Sequence, residues 1–205
     1  MSIKILATDK TLSSWGAIYS VNTLFNKINL SSYLHPALPK LKAPYSSKRN
    51  LAKLRQMILT FVAGAECLDD MEYLAKEAGI KGILGRDEIY PSKSCGNFLR
   101  SFSNMNCKQL NNELISTAFK LRSQLPVAKQ KSITIDLDST INKQYGKKLE
   151  GGGVAYNGVY GLDTIQAFDE YGFQYWNEVR QGGTYSSQGA VTIIHEIFNR
   201  IAKIS

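Results

Sequence analysis

The spacing of apolar residues changes once along this chain, at Ser132, and that change limits the folds open to it. Upstream, apolar side chains recur every three to four residues in several segments, the period of helices with one buried face. From Ile133 onward, Ile133, Ile135 and Leu137 alternate with Thr134, Asp136 and Asp138, the period of a strand with one apolar and one polar face. A helical region followed by a sheet-forming one predicts an α+β or α/β protein.

Within the helical region, Trp15, Ile18, Phe25 and Ile28 predict an amphipathic helix over 13–28, capped by Ser13 or Ser14. Pro36, Pro39 and Pro44 predict an extended connector over 31–45. Leu51, Leu54, Ile58, Phe61 and Val62 share one face of a helix over 47–63, with Lys48, Arg49, Lys53 and Arg55 mostly off that face, and Gly64 ends it. A short helix over 68–78 follows, with Asp69, Asp70 and Glu72 at its start and Gly79 at its close. Ser92 can cap a helix carrying Lys93, Asn97 and Arg100, and Leu110, Leu114, Ala118, Leu121 and Leu125 line another over 108–125.

Beyond residue 132 the pattern predicts a strand over 133–138, a polar loop over 141–154, and a hairpin of two strand-like runs, 156–168 and 173–180, turning at 169–172. A last helix over 186–204 has Val191, Ile194, Ile197, Phe198, Ile201 and Ile204 as its stripe.

Charge follows the same division. Residues 1–131 hold 19 Lys and Arg against 9 Asp and Glu, and residues 132–205 hold 6 against 8, so a net +10 precedes a net −2. A cationic segment of this kind suits a polyanion such as nucleic acid, although it also serves as a solvated surface. Lys93, Asn97 and Arg100 are the candidate DNA contacts, because a capped helix amino terminus suits phosphate; a plain helical bundle is the alternative. Of 205 residues 43% are apolar, enough for a buried core. Cys67, Cys95 and Cys107 are too widely spaced for a zinc cluster and are expected to be buried thiols in the cytoplasm. No apolar run approaches the roughly 20 residues of a membrane span, and there is no signal peptide, so no membrane partner is expected.

Asp136 and Asp138 stand on one strand face, roughly 6.7 Å apart along the chain. Two carboxylates so close repel unless a cation sits between them, and Mg²⁺ favours one or two carboxylates completed by waters and phosphates. They also simply keep a solvent face soluble.

The run Ile133-Thr134-Ile135-Asp136-Leu137-Asp138-Ser139-Thr140 resembles the first catalytic strand of the DDE transposases of bacterial insertion sequences, in the branch where Ser-Thr or Gly-Thr follows the first Asp. Tyr156-Asn157-Gly158, Ala167-Phe168-Asp169, Gly172-Phe173, Glu178-Val179-Arg180, Gly182-Gly183-Thr184 and Ser186-Ser187-Gln188-Gly189-Ala190 are similar to that family's following hairpin and helix, in order. Upstream, Tyr45-Ser46-Ser47, Gly64 to Asp70 and Phe98-Leu99-Arg100 resemble its helical region.

The resemblance implies the first half, three strands and a helix, of a ribonuclease-H-like domain in which two Asp and one Glu hold two Mg²⁺ ions for phosphoryl transfer on DNA. It implies Asp138 as the first catalytic Asp and metal ligand, and Asp136 as a neighbouring acid. The implied partners are double-stranded DNA at transposon ends and a second copy or a full-length transposase. The second Asp and the Glu have no matching motif here, so the chain is expected to be catalytically incomplete, with an unpaired edge beside the strand 133–138. Two rivals remain: a non-catalytic DNA-binding inhibitor of transposition, and a small metal-dependent nuclease with ligands drawn from Asp136, Asp138 and Glu178. The expected organisation is a helix and connector over 1–45, a basic helical DNA-binding region over 46–131, and a truncated catalytic domain over 132–205.

Overall fold

The change of period at Ser132 is a change from helix to strand in the computed structural model, which describes residues 16–39, 46–76, 78–84, 89–126, 132–146 and 148–202. The chain divides into two units, Met1–Leu110 and Asn111–Ser205.

In the first unit, α1 spans Gly16–Lys27; the caps expected at Ser13 or Ser14 lie outside the described residues. The connector expected over 31–45 contains a helical turn, α2 (Leu30–Leu34), and a 3-10 turn at His35–Ala37. Pro36 sits at the start of that 3-10 turn, where a missing N–H costs nothing, so proline does not exclude helix there. Residues 40–45 of the connector are outside the described residues.

The helix expected over 47–63 is α3, Ser46–Val62, and Gly64 follows it at φ +94°. The single helix expected over 68–78 is a 3-10 turn, Leu68–Asp70, running into α4, Met71–Ala75. Asp70 caps this start by accepting from the N–H groups of Cys67 at 3.1 Å and Glu66 at 2.8 Å, which together hold its carboxyl below the usual range. Gly79 does not close a helix but lies inside the next one, α5, Ala78–Leu84. Helix α6 is Ser92–Arg100.

Two apolar clusters hold this unit. Leu38, Met57, Met71, Cys95 and Phe98 form one, and Ile18, Leu59 and Ile80 the other. Buried Gln56 stitches α3 to the segment before α6, donating to the Tyr90 carbonyl at 2.8 Å and accepting from its N–H at 2.9 Å. Of the three thiols expected to be buried only Cys95 is; Cys67 and Cys107 are exposed.

The boundary between the units falls inside α7, Asn104–Arg122. In the second unit β1 (Ile135–Lys143), β2 (Gly153–Val154), β3 (Tyr160–Asp169) and β4 (Gln174–Arg180) form an antiparallel sheet followed by α8, Ala190–Ala202. The architecture is mixed α+β, with four strands rather than three. Strand β3 is central, flanked by β1 on one side and by β2 and β4 on the other.

The first strand reaches further than expected, because Ser139 and Ile141 continue the inward alternation and pair opposite Ile165 and Asp163. Residues 141–143, expected in a loop, are therefore strand. One sheet face packs on helices: Ile115 and Phe119 of α7 and Ile193 and Ile197 of α8 meet Ile165, Ala167 and Tyr175, with Ile135 and Leu137 against them. The hairpin expected at 169–172 is present, with Gly172 at φ +82°, where a side chain would be strained.

Candidate functional site

Alternation along β1 decides which side chains reach solvent. Ile135, Leu137 and Ser139 point to the helix-covered face, so Asp136 and Asp138 point to the other, opposite Phe168 and Gln166, and both are exposed. Strand β1 pairs only with β3 among the described residues, so the two acids stand on an edge strand.

The residue after Asp138 is anchored on the opposite side. Ser139 Oγ donates to Asp163 Oδ1 at 2.6 Å, and Asp163 is completely buried. Its second oxygen accepts from Nε of Arg180, its direct neighbour across the β3–β4 ladder, and is ion-paired with Nη2, while Arg180 Nη1 donates to the Gln188 carbonyl at 2.6 Å. A buried carboxylate needs this full set of partners, because an unpaired charge there is strongly destabilising.

A second buried carboxylate, Asp169, closes the other end of β3. It accepts from the N–H groups of Tyr171 and Phe173, each at 2.9 Å, from Tyr175 Oη at 3.1 Å, and from Arg122 Nε at 2.7 Å. Arg122 also donates to the Ser132 carbonyl at 2.9 Å, and Glu170 accepts from the Thr134 N–H at 2.9 Å. The entry to β1 is thus tied to the β3–β4 turn. Burial first, and then the Asp169 charge, pushes the Tyr175 hydroxyl well above the usual tyrosine range.

The polar face around Asp138 carries amides and hydroxyls. Gln166 donates to Asn177 at 3.1 Å, and Asn142 donates to Thr164. Glu178 is not on that face. It lies opposite Ile165, whose side chain is in the helix-covered core, and it accepts from Trp176 Nε1 at 3.2 Å. The acids Asp136 and Asp138 are therefore parted from Glu178 by the sheet, so the three do not share one face. Among the described residues no group of three or more His, Cys, Asp or Glu comes together. A pair of acids on one strand can begin a divalent-ion site but does not make the two-ion site expected above, so no chemical step through metal follows from these residues alone.

The basic candidates lie in the first unit. Lys93, Asn97 and Arg100 are all exposed on α6, spaced by four and three residues and so on one face, and Arg100 Nη1 donates to Asn97 Oδ1 at 2.9 Å. The buried side of the same helix is Cys95 and Phe98. Pro91, not Ser92, stands at the cap position. The Ser92 N–H donates instead to Glu72 Oε1 at 3.2 Å, so a carboxylate already occupies the site where a phosphate was expected. Two of the basic residues expected off the apolar face of α3 are engaged within the unit: Arg55 holds Asn22 and Asn26, each at 2.7 Å, and Lys53 lies 5.4 Å from the Tyr90 ring centre.

No motif or spacing in the sequence pairs Asp163 with Arg180, because the hairpin pattern alone does not say which of its faces is inner. A signal for burial was present: Asp163 and Asp169 share parity with Ile165 and Ala167, which places both acids inside. His195 is exposed on α8.

Over residues 1–204 the chain matches the family described as Transposase DDE domain group 1. No curated protein and no solved structure matches it.

Proposed function

The chain belongs to the Transposase DDE domain group 1 family, and on that premise we propose that it acts on insertion-sequence DNA in metal-dependent phosphoryl transfer, as the amino-terminal part of the catalytic machinery. Its family is transposition-related. The observation that carries the reading is the placement of Asp138: exposed on the face of β1 opposite the one that packs on α7 and α8, with Ser139 held inward by buried Asp163. That is how a rigid sheet presents an acid to a ligand. In this reading the sheet and α8 are the first half of a ribonuclease-H-like domain, and Asp138, with Asp136 beside it, offers the first ligands to Mg²⁺. Further acid ligands come from outside the described residues, through a second copy or a full-length transposase.

The helical region 46–131 binds double-stranded DNA at the transposon ends in the cytoplasm, with Lys93, Asn97 and Arg100 on phosphate or base edges. A carboxylate at the start of α6 leaves the outward face of the helix, not its amino terminus, to make those contacts. Among the described residues no helix is long and apolar enough to cross a membrane.

The absence of a third acid beside Asp138 among the described residues favours a second reading, a DNA-binding inhibitor of transposition. One experiment tests both. Duplex DNA carrying transposon ends is titrated with the chain at rising salt, and nicking is then followed in Mg²⁺ or Mn²⁺ with and without full-length transposase. Salt-sensitive, end-preferring binding is expected, with no nicking by the chain alone. Failure to bind duplex DNA at low salt overturns the proposal, and a drop in the full-length enzyme's activity selects the inhibitor.

A further inference from the structure

At one end of the sheet, glycine backbones approach too closely for any side chain. A Cβ on Gly153 would lie 2.2 Å from the Gly182 carbonyl oxygen, and one on Gly182 would lie 2.0 Å from that of Gly161. The segments 151–156 and 181–185 are thereby clamped together. Each is further closed by its own turn: the Ala155 N–H donates to Val159 O and the Gly158 N–H to Ala155 O, both at 2.9 Å, and Gln188 N–H donates to Tyr185 O at 2.9 Å.

On this rigid backbone the largest side chains point outward. Tyr156 is 93% exposed and Tyr185 78%, and they border a pocket of about 390 Å³ with Val154, Gly183, Thr184 and Ser186. Tyr145, 89% exposed, follows the nearby end of β1, with Lys143 Nζ 4.9 Å from its ring centre. Residues 151–162 and 181–194 contain no charged side chain, so no carboxylate on either segment repels a phosphate. Exposed aromatic rings on a fixed backbone, in segments without acids, are the elements of a stacking platform for unpaired bases.

We propose that Tyr156 and Tyr185 form a stacking site for an unpaired nucleotide of a DNA strand, seated in the pocket between them. The inference rests on DNA being the substrate, and it assigns a site separate from the acids of β1. Tyrosine faces accept any base, so the site selects an unstacked strand rather than a sequence. Neither ring has a structural task in the described residues, and their replacement leaves the fold intact.

The test uses the full chain and an oligothymidylate of about 12 nucleotides with one central fluorescent aminopurine, alongside a duplex of the same length. Binding quenches the aminopurine in the wild type. Tyr156→Ala and Tyr185→Ala each abolish most of the quenching and weaken single-strand binding about tenfold, while Tyr156→Phe and Tyr185→Phe keep both. Duplex affinity and thermal melting stay unchanged in all four. Single-strand binding without quenching, Ala variants that bind as tightly as wild type, or no single-strand binding beside intact duplex binding each overturns the stacking site alone. Loss of both single-strand and duplex binding in the wild type overturns the DNA reading with it.

Discussion

Ser139 donates a 2.6 Å hydrogen bond to the buried carboxylate of Asp163, and this bond fixes β1 at the residue directly after Asp138. Because successive side chains of a strand leave opposite faces, anchoring Ser139 inward sets Asp138 outward. The buried pair of Asp163 and Arg180 is thus a support for the exposed acid rather than part of it.

Asp163→Asn keeps the volume but removes the charge that Arg180 faces. The expected loss is about 3–5 kcal/mol, since a guanidinium is left buried without its counter-ion. Urea denaturation followed by tryptophan emission measures it, and a loss under about 1 kcal/mol would show that the pair is dispensable.

Asp138→Asn sits on an exposed face and is expected to change stability by less than about 0.5 kcal/mol. If Asp138 begins a divalent-ion site, water-proton relaxation enhancement by Mn²⁺ falls in this variant and persists in Glu178→Gln, because Glu178 lies on the other face of the sheet. Equal effects in both variants would remove Asp138 from the metal role.

Lys93→Ala and Arg100→Ala are expected to weaken duplex binding across sequences, each reducing the slope of log affinity against log salt by about 1. Fluorescence anisotropy at several salt concentrations reads this out. An unchanged slope in the double variant would place the DNA contacts elsewhere than the outer face of α6.

Tyr175 has its hydroxyl pushed upward by burial and by Asp169. An unfolded tyrosine releases its proton near pH 10, about the model-peptide value. The native state holds its proton to higher pH, so it binds more protons than the unfolded chain and the stabilisation present below pH ~10 declines as the pH rises above it. Tyr175→Phe loses about 1 kcal/mol near neutrality from the missing bond to Asp169 and shows a flatter alkaline limb in thermal melts. Parallel pH profiles for the two proteins would rule this out.

Much of the fold was legible in local patterns. The stripe of Leu51, Leu54 and Ile58 predicted α3, the Asp169 to Gly172 cluster predicted the hairpin, and alternation about Asp136 and Asp138 predicted the strand that bears them. Errors fell where a local signal was overridden. Pro36, a residue type that breaks helices, sits in the first turn of a 3-10 helix, and Gly79, a residue type that ends them, lies within α5. A glycine or proline has weak positional meaning until tertiary packing selects the backbone around it.

The amino-acid order by itself determined that the run about Asp136 and Asp138 would be a two-faced strand with both acids on its polar side, because a period of two is a property of the backbone and needs no partner; it did not show that the strand continues to Lys143. It also determined the excess of cations before residue 132. Only the tertiary structure decided that Asp163 meets Arg180 across the ladder and that Glu178 is parted from Asp138 by the sheet. Those relations join residues 17 to 40 positions apart, and strand pairing, through its register, is the physical step that brings them together or holds them apart.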